Sequence, residues 1–418
     1  MKSVLVVGAG AAGLIAGAFA ARNGARTEII ERNEKAGKKL FLTGKGRCNI
    51  TNSADKDEFM KAIVHNGRFM FSSLDSFFNT DILNIINAYG VRTKLERGGR
   101  YFPESDKSSD VIRALLAFAQ KSGASLMLNT RVRSIEKQGE RFVVRMDNQP
   151  DRSYDAVILA TGGLSYSSTG STGDGYRIAE SFGHTVLPAK PSLIPLVTEE
   201  RWPSELMGLS LKNVTLRAYK KAKPNEKKKP KPVYEELGEM LFTHFGVSGP
   251  LVLSASAYLA DDPVGARLEI DLKPGLTSEQ LDARVLRDLD KYKHKQIRNA
   301  MAELLPQRLI DKVLRAAGVI EETAVDNLTR EQRLSIVAAM KCLTLTVSGT
   351  RPIDEAIITR GGVSIKEIAP STMESKLVPG LYFAGEIIDV DACTGGYNLQ
   401  IAWSTGAAAG RAAAGEQN

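Results

Sequence analysis

The sequence predicts an α/β protein: a dinucleotide-binding domain on a parallel sheet, built from both ends of the chain, with β-rich and helical segments inserted between them. Three observations predict it. The chain opens with a strand, a glycine turn, a helix and a second strand. Two later apolar strands also run into glycines. Between the chain ends the texture of the sequence changes twice.

The opening unit is Ser3-Val4-Leu5-Val6-Val7, then Gly8-Ala9-Gly10-Ala11-Ala12-Gly13, an alanine-rich stretch to Arg22, and Thr27-Glu28-Ile29-Ile30-Glu31. This is the βαβ fingerprint in its required context. Gly8 permits the tight turn, Gly10 admits a pyrophosphate to the backbone, and Gly13 lets helix and strand pack closely. The helix start offers unpaired N–H groups and the positive end of a dipole to phosphates. Glu31, eighteen residues after Gly13, can accept hydrogen bonds from a ribose hydroxyl. FAD and NAD share this motif, so the turn alone does not choose between them.

After Glu31 and Arg32 comes a segment with Lys39 that leads to Thr43-Gly44-Lys45-Gly46-Arg47-Cys48-Asn49-Ile50-Thr51-Asn52. Glycines, an arginine and small polar residues form a loop able to wrap a phosphate or a polar ring edge. Residues 56–89 and 110–122 carry helical periodicity. Residues 124–132 read as a strand, with 142–146 as its hairpin neighbour. Residues 155–160 form a buried strand that ends in Thr161-Gly162-Gly163. A polar glycine-rich loop then leads to a helix at Tyr176.

Near Pro188 the pattern shifts to short β-like runs such as 214–219 and 266–270. At Thr277-Ser278-Glu279-Gln280 a capping box opens a helical region that lasts to about Met340. From Leu343 the chain returns to β structure. Leu381-Tyr382-Phe383-Ala384 is a strand that meets Gly385-Glu386, and Gly395-Gly396-Tyr397-Asn398-Leu399-Gln400 begins a long helix of small residues. The division predicted is 1–187, 188–275, 276–342 and 343–418, with the first and last segments forming one domain.

At 418 residues the chain is too long for one ordinary domain, and its 43% hydrophobic and 25% charged residues are normal for a globular protein. The start lacks the pattern of a signal peptide, and no apolar run is long enough to span a membrane. Cys48, Cys342 and Cys393 make neither a disulfide framework nor a metal cluster, and no metal site is expected. These features predict a cytoplasmic protein. The net charge of +8 permits a nucleic-acid partner without demanding one.

GAGAAG with Glu31, GKGRCNITN, ATGG followed by TGSTGDG, AGEIIDVDACTGGYNLQ and FTHFGVSGP together resemble a family of three-domain bacterial flavoproteins. That family includes aminoacetone oxidase, a flavoprotein reductase of bile-acid operons and a ribosomal-RNA dihydrouridine synthase. The resemblance covers nearly the whole chain. It implies a Rossmann-like FAD-binding domain of the glutathione-reductase kind, with a β-barrel-like and a helical domain inserted between its halves. It also implies that Gly8, Gly10, Ala12 and Gly13 hold the FAD pyrophosphate, Glu31 the adenosine ribose, and the Val132 backbone the adenine. Gly385-Glu386 stands where such folds carry Gly-Asp, here one methylene longer. Gly396, Tyr397, Asn398 and Leu399 would bring backbone N–H groups to the N1–C2=O edge of the flavin, where reduced flavin carries negative charge. Arg32, Lys39, Gly46, Arg47, Cys48, Thr161, Gly162 and Gly163 complete the expected cofactor contacts.

Four residues are candidates for the chemistry. Cys48 can donate a proton to a reduced double bond, or pack as a small buried residue; Cys393 offers the same two readings. His244, beside glycine and proline turns, suits acid–base work, phosphate contact or a structural place. Tyr397 can stack on substrate or on its neighbours. No second βαβ fingerprint exists, so NAD(P)H is expected to dock as a transient reductant, or else the substrate itself reduces the flavin. Two basic tracts, one from Lys220 to Lys231 and one carrying Lys291, Lys293, Lys295, Arg298, Arg308, Lys312 and Arg315, suit RNA phosphates or a solvated face. The reaction expected is hydride transfer to a C=C bond, with a uridine of ribosomal RNA as substrate. The alternatives are oxidation of a small amine such as aminoacetone by oxygen, or reduction of a small enone.

Overall fold

The computed structural model describes residues 1–222 and 230–415. Two compact units emerge: residues 1–192 with 352–418, and residues 193–351.

The first unit is built on a five-stranded parallel sheet. Its strands are β1 (Ser3–Val7), β2 (Arg26–Ile30), β3 (Ser125–Met127), β4 (Ala156–Leu159) and β5 (Leu381–Phe383), in the order β5-β4-β1-β2-β3. Every residue of β1, β4 and β5 is buried, as expected of strands covered on both faces. Helix α1 (Ala11–Arg22) and helix α2 (Tyr397–Ala414) pack against each other over this sheet. They approach backbone to backbone. A Cβ at Gly406 would stand 2.5 Å from the Ala12 carbonyl oxygen, and one at Gly410 would stand 2.3 Å from that of Ala16. The chain ends are joined by this contact.

Smaller sheets surround this core. One is three-stranded and antiparallel, formed by Val132–Gln138, Arg141–Met146 and Gln149–Tyr154. Another pairs Thr51–Asn52, Arg100–Pro103 and Thr93–Glu96. A ribbon pairs Val186–Ser192 with Ile358–Val363, and Ile63–His65 pairs with Asp391–Ala392. Two expectations change here. Residues 124–132 are not one strand: Asn129 takes a left-handed φ of 53° and breaks them, so the hairpin partner of Arg141–Met146 is Val132–Gln138. The helical reading of 56–89 is interrupted at β-branched Ile63-Val64, which find a strand partner in residues 391–392.

In the second unit a closed six-stranded antiparallel barrel runs Leu196–Thr198, Gly246–Ser248, Tyr234–Thr243, Ser210–Tyr219, Arg267–Asp271, Leu343–Thr350. The helices Ser278–Lys291, Ile297–Met301, Gln307–Ala316 and Arg330–Lys341 share one continuous apolar core with it. The expected capping box is present: Thr277 Oγ1 accepts from Gln280 N–H at 3.2 Å, and Gln280 Oε1 accepts from Thr277 N–H at 3.0 Å. Thr329 and Gln332 repeat it. Leu343–Thr350 pairs with Arg267–Asp271 and Leu196–Thr198, so it closes the barrel rather than beginning the return to the first unit. Within the tract 220–231, residues 223–229 lie outside the described residues. No helix of the described residues is long and apolar enough to cross a membrane.

Candidate functional site

The glycine turn has the geometry its sequence demands. Gly8 has a φ of 105°, and a Cβ there would stand 2.5 Å from the Ala160 carbonyl oxygen at the end of β4. A Cβ on Gly13 would stand 1.8 Å from the Gly8 carbonyl oxygen. Above Gly10 nothing lies within 4 Å, so the start of α1 is open. Gly10 is the N-cap and brings no side chain to the first N–H groups. Glu31 is turned on this turn. Its carboxylate accepts from Ala9 N–H at 2.9 Å, from Asn33 N–H at 2.9 Å and from Asn33 Nδ2 at 2.7 Å.

The other glycine-ended strands close around the same place. Gly385 has a φ of 77°, and a Cβ there would stand 2.8 Å from Ala12 Cβ, so the end of β5 touches the first turn of α1. Gly163 leaves room for Thr359, whose Oγ1 would lie 2.4 Å from a Cβ. Thr161 Oγ1 is buried without a hydrogen-bond partner among the described residues. Glu386 gathers three segments. It accepts from Ser165 Oγ at 2.9 Å, from Thr359 N–H at 2.9 Å and from Lys39, which also donates to Ser165 Oγ at 2.7 Å. Neither Ser165 nor Thr359 stands out in the sequence, because nothing in local spacing marks a residue whose partners lie about 200 positions away.

Helix α2 also begins at a bare glycine. Gly396 is its N-cap, with a φ of 99° and no capping side chain. A Cβ there would stand 2.5 Å from the carbonyl carbon of Thr51. Asn398 folds back to fix the approach: its Oδ1 accepts from Ala392 N–H at 3.0 Å, and its Nδ2 donates to the Ala392 carbonyl at 2.8 Å. Asn52 Nδ2 donates to the carbonyls of Gly395 and Gly98 at 2.9 and 3.0 Å. Leu399 follows in the first turn, half-buried.

The loop before Asn52 departs from expectation. Gly44, Lys45, Gly46 and Cys48 all take left-handed φ angles of 58–84°. Arg47 is turned to carboxylates rather than left free for a ligand. It pairs with Glu96 and with Asp106 at 2.7 Å, and stacks 4.1 Å from the centroid of Phe102. Cys48 is fully buried, and that burial pushes its thiol up to about 12. Asn49 Oδ1 is buried without a partner among the described residues.

Arg32 donates to Thr172 Oγ1 at 2.6 Å and meets Asp174 at 3.2 Å. Arg131 grips Asp174 with two bonds of 2.8 Å, and Arg177 joins them. Burial works to raise the Asp174 carboxyl, but the three guanidinium groups hold it below its ordinary value. Val132, buried itself, lines a cavity of about 300 Å³ with Arg131, Arg133 and Asp174.

Tyr397 meets Phe59 edge to face, with ring centroids 4.8 Å apart. It also lines an open cleft of about 500 Å³ with Asn52, Ser53, Glu58, Lys61, Gly98 and Gly99. His244 belongs to the other unit. It is exposed at the tip of the hairpin between Tyr234–Thr243 and Gly246–Ser248, with its ring centroid 4.9 Å from that of Phe245. The basic tract 291–315 is largely neutralised. Lys291, Lys293, Arg298 and Lys312 pair with Asp288, Asp290, Glu321 and Asp311, and Lys312 also with Glu205. Arg308 caps the carbonyls of Glu205 and Met207.

Two helix starts free of capping side chains, an open Gly10 and a buried, unpartnered Thr161 hydroxyl make a donor set that fits a dinucleotide carrying a second ring system. The HI0933-like protein Rossmann domain model matches residues 2–412. A 3-dehydro-bile acid delta(4,6)-reductase of Clostridium scindens is 32% identical over 99% of both chains. A ribosomal RNA dihydrouridine synthase of Escherichia coli is 30% identical over 96% of this chain and 95% of its own. One of Haemophilus influenzae is 32% identical over 96% of both. With its glycine-ended parallel sheet and this match over nearly its whole length, the chain belongs to the HI0933-like family and is an FAD-dependent oxidoreductase.

Proposed function

We propose that this oxidoreductase takes hydride from NAD(P)H and delivers it to a carbon–carbon double bond, and that the bond is that of a uridine in ribosomal RNA. The observation that carries the choice of substrate is the cleft beside Tyr397. Asn52, Ser53, Glu58, Lys61 and two glycines line it, and Ala54 and Tyr397 are its only apolar members. Such a lining suits the hydrogen-bonding edge and flat face of a nucleobase better than an apolar ring system. The two relatives named ribosomal RNA dihydrouridine synthases support the same substrate.

In this reading the N-terminal N–H groups of α1, from Gly10 to Gly13, hold the FAD pyrophosphate. Glu31 keeps the turn in shape and faces the ribose. Arg32 and the Val132 backbone border the adenine. Thr161, Gly162 and Gly163 leave space along the cofactor, and Lys39 with Glu386 braces the strand ends that meet it. Bound FAD supplies hydride-level redox chemistry. The start of α2, from Gly396 to Leu399, stabilises negative charge at the adjoining ring edge. Tyr397 orients the substrate, and Asn52 fixes the Gly395 and Gly98 backbone that shapes the cleft. The ring of Phe59 and the backbone of Thr51 keep Tyr397 and Gly396 in place.

The test uses ribosomal RNA from a strain lacking this protein. The proposal expects that RNA to lack one dihydrouridine, and purified holoenzyme with NADPH or NADH to restore it. Ribosomal RNA that keeps every dihydrouridine contradicts the substrate assignment. The relative named a bile-acid reductase supports a second reading, a small conjugated enone as acceptor. NAD(P)H oxidation driven by such an enone, with unmodified RNA inert, would establish it. Anaerobic bleaching of the flavin by an amine would instead establish the oxidase.

A further inference from the structure

His65 ends the short strand Ile63–His65 and stands opposite Asp391 in an antiparallel pair. The partner strand continues through Cys393 and the two glycines into α2, and the Cys393 N–H donates to the Ala62 carbonyl at 2.9 Å. The pairing therefore ties His65 to the segment that sets the start of α2. Its Nε2 lies 3.0 Å from Asp389 Oδ2. Asp389 cannot turn away. Asn66 Nδ2 donates to it at 2.9 Å and the Gly361 N–H at 3.1 Å, and its side chain is 2% exposed. The imidazole is 35% exposed, so a ring held at one nitrogen keeps an accessible edge. With Nε2 engaged by a fixed carboxylate, Nδ1 is the atom that gains and loses a proton.

We propose that His65, oriented by Asp389, is the general acid of this enzyme, giving the Nδ1 proton to the double bond as hydride is added. The proposal rests on the reading of the reaction as C=C reduction. In the balanced step, the hydride and its electron pair, which bound FAD would supply in its two-electron-reduced form, form a C–H bond at one carbon. The N–H bond of the imidazolium breaks, and its proton forms the C–H bond at the neighbouring carbon. Neutral imidazole then takes a proton from water.

The other candidates stand less well placed. Cys48 has no solvent access, and Cys393 is 7% exposed. His184 is sealed between Glu367 and Ser375. The surroundings of His65 also favour its charged form. The hydrogen bond that Nε2–H donates to Asp389 raises its affinity for a proton. Burial and Arg360 lower that affinity, Asp391 adds to the raise, and the balance lies above the ordinary imidazole value.

The experiment compares wild-type, His65→Gln and Asp389→Asn holoenzymes, reduced anaerobically and mixed with three acceptors: the unmodified ribosomal RNA, cyclohexenone, and ferricyanide, which takes electrons without a proton. His65→Gln is expected to slow reoxidation by the C=C acceptor about 100-fold or more. It should also abolish the decline in rate expected of the wild type at alkaline pH, while ferricyanide rates stay within about threefold, far inside that range. Asp389→Asn moves the decline to lower pH. Histidine-selective labelling gives a readout without turnover: the resonance missing in His65→Gln titrates above the ordinary imidazole value in the wild type and lower in Asp389→Asn. C=C reduction within about threefold of wild type in His65→Gln, well short of a general acid's contribution, overturns the inference. So does an equal loss with all acceptors, the sign of a structural role. A wild type that reduces neither C=C acceptor overturns the reaction reading itself, and the inference with it.

Discussion

Cys48 shows how far a residue's type and its setting can diverge. Its place in the GRCN loop suggests a proton donor, yet its thiol is fully buried and pushed up to about 12. Buried thiols of this kind are inert. Treatment of the native holoenzyme with iodoacetamide near pH 8 should modify exposed Cys342 and leave Cys48 intact by peptide mass spectrometry; early alkylation of Cys48 would contradict its burial. His65 shows the reverse case: unclustered in sequence, it meets Asp389 only because residues 63–65 and 391–392 pair in the fold. Its raised proton affinity is a stability statement. The contribution is complete below the unfolded imidazole value, about 6.5, and disappears as pH rises through the higher folded value. The difference in urea midpoint between wild type and His65→Gln should therefore be larger near pH 5.5 than near pH 9, both on the scale set by that reference value. A difference that grows with pH would contradict the pairing.

Among the elements, α1 and α2 carry the architecture. Their glycines were legible by spacing at Gly8, Gly10 and Gly13, where the fingerprint fixes each role. Gly406 and Gly410 were legible only as small residues, because the partner backbone they admit lies nearly 400 positions away. Gly410→Val should destabilise by about 1–3 kcal/mol through overpacking and lower FAD content, as urea unfolding and flavin absorbance will show. Gly349→Ala is the control: it sits in a barrel strand with nothing within 4 Å of a Cβ. The pair Arg360–Asp391 holds the ribbon 358–363 to the strand before α2, with side-chain exposures of 6% and 0%. Arg360→Met leaves the Asp391 carboxylate buried and should cost about 3–5 kcal/mol. Unfolding midpoints within error of wild type would mean that Asp391 finds another partner.

At the level of the whole molecule, the sequence texture separated a glycine-rich parallel sheet from β-rich and helical inserts. It did not assign Leu343–Thr350 to its sheet. Inward-facing Leu343, Leu345 and Val347 announce a strand, but alternation says nothing about which neighbour completes the ladder. Charge behaves similarly. The net +8 is a property of the chain, yet the tract 291–315 is mostly matched by acids that composition cannot locate. Under the proposed function, the exposed Lys220, Lys221 and Lys231 are the better candidates for phosphate contact. Changing these three to Gln should weaken RNA binding and flatten its dependence on salt, whereas Lys293→Gln with Arg298→Gln should leave the salt slope nearly unchanged. Equal slopes for both variants would remove the tract from the interface.

Under the proposed function, hydride held by the reduced holoenzyme ends on a uridine of ribosomal RNA. One anaerobic measurement tests it: mix reduced holoenzyme, free of NAD(P)H, with ribosomal RNA from a strain lacking the protein, follow the return of the oxidised flavin absorbance, and quantify dihydrouridine by mass spectrometry. The prediction is one dihydrouridine formed for each flavin reoxidised. Flavin that stays reduced until an enone or oxygen is admitted, with the RNA unchanged, would contradict it.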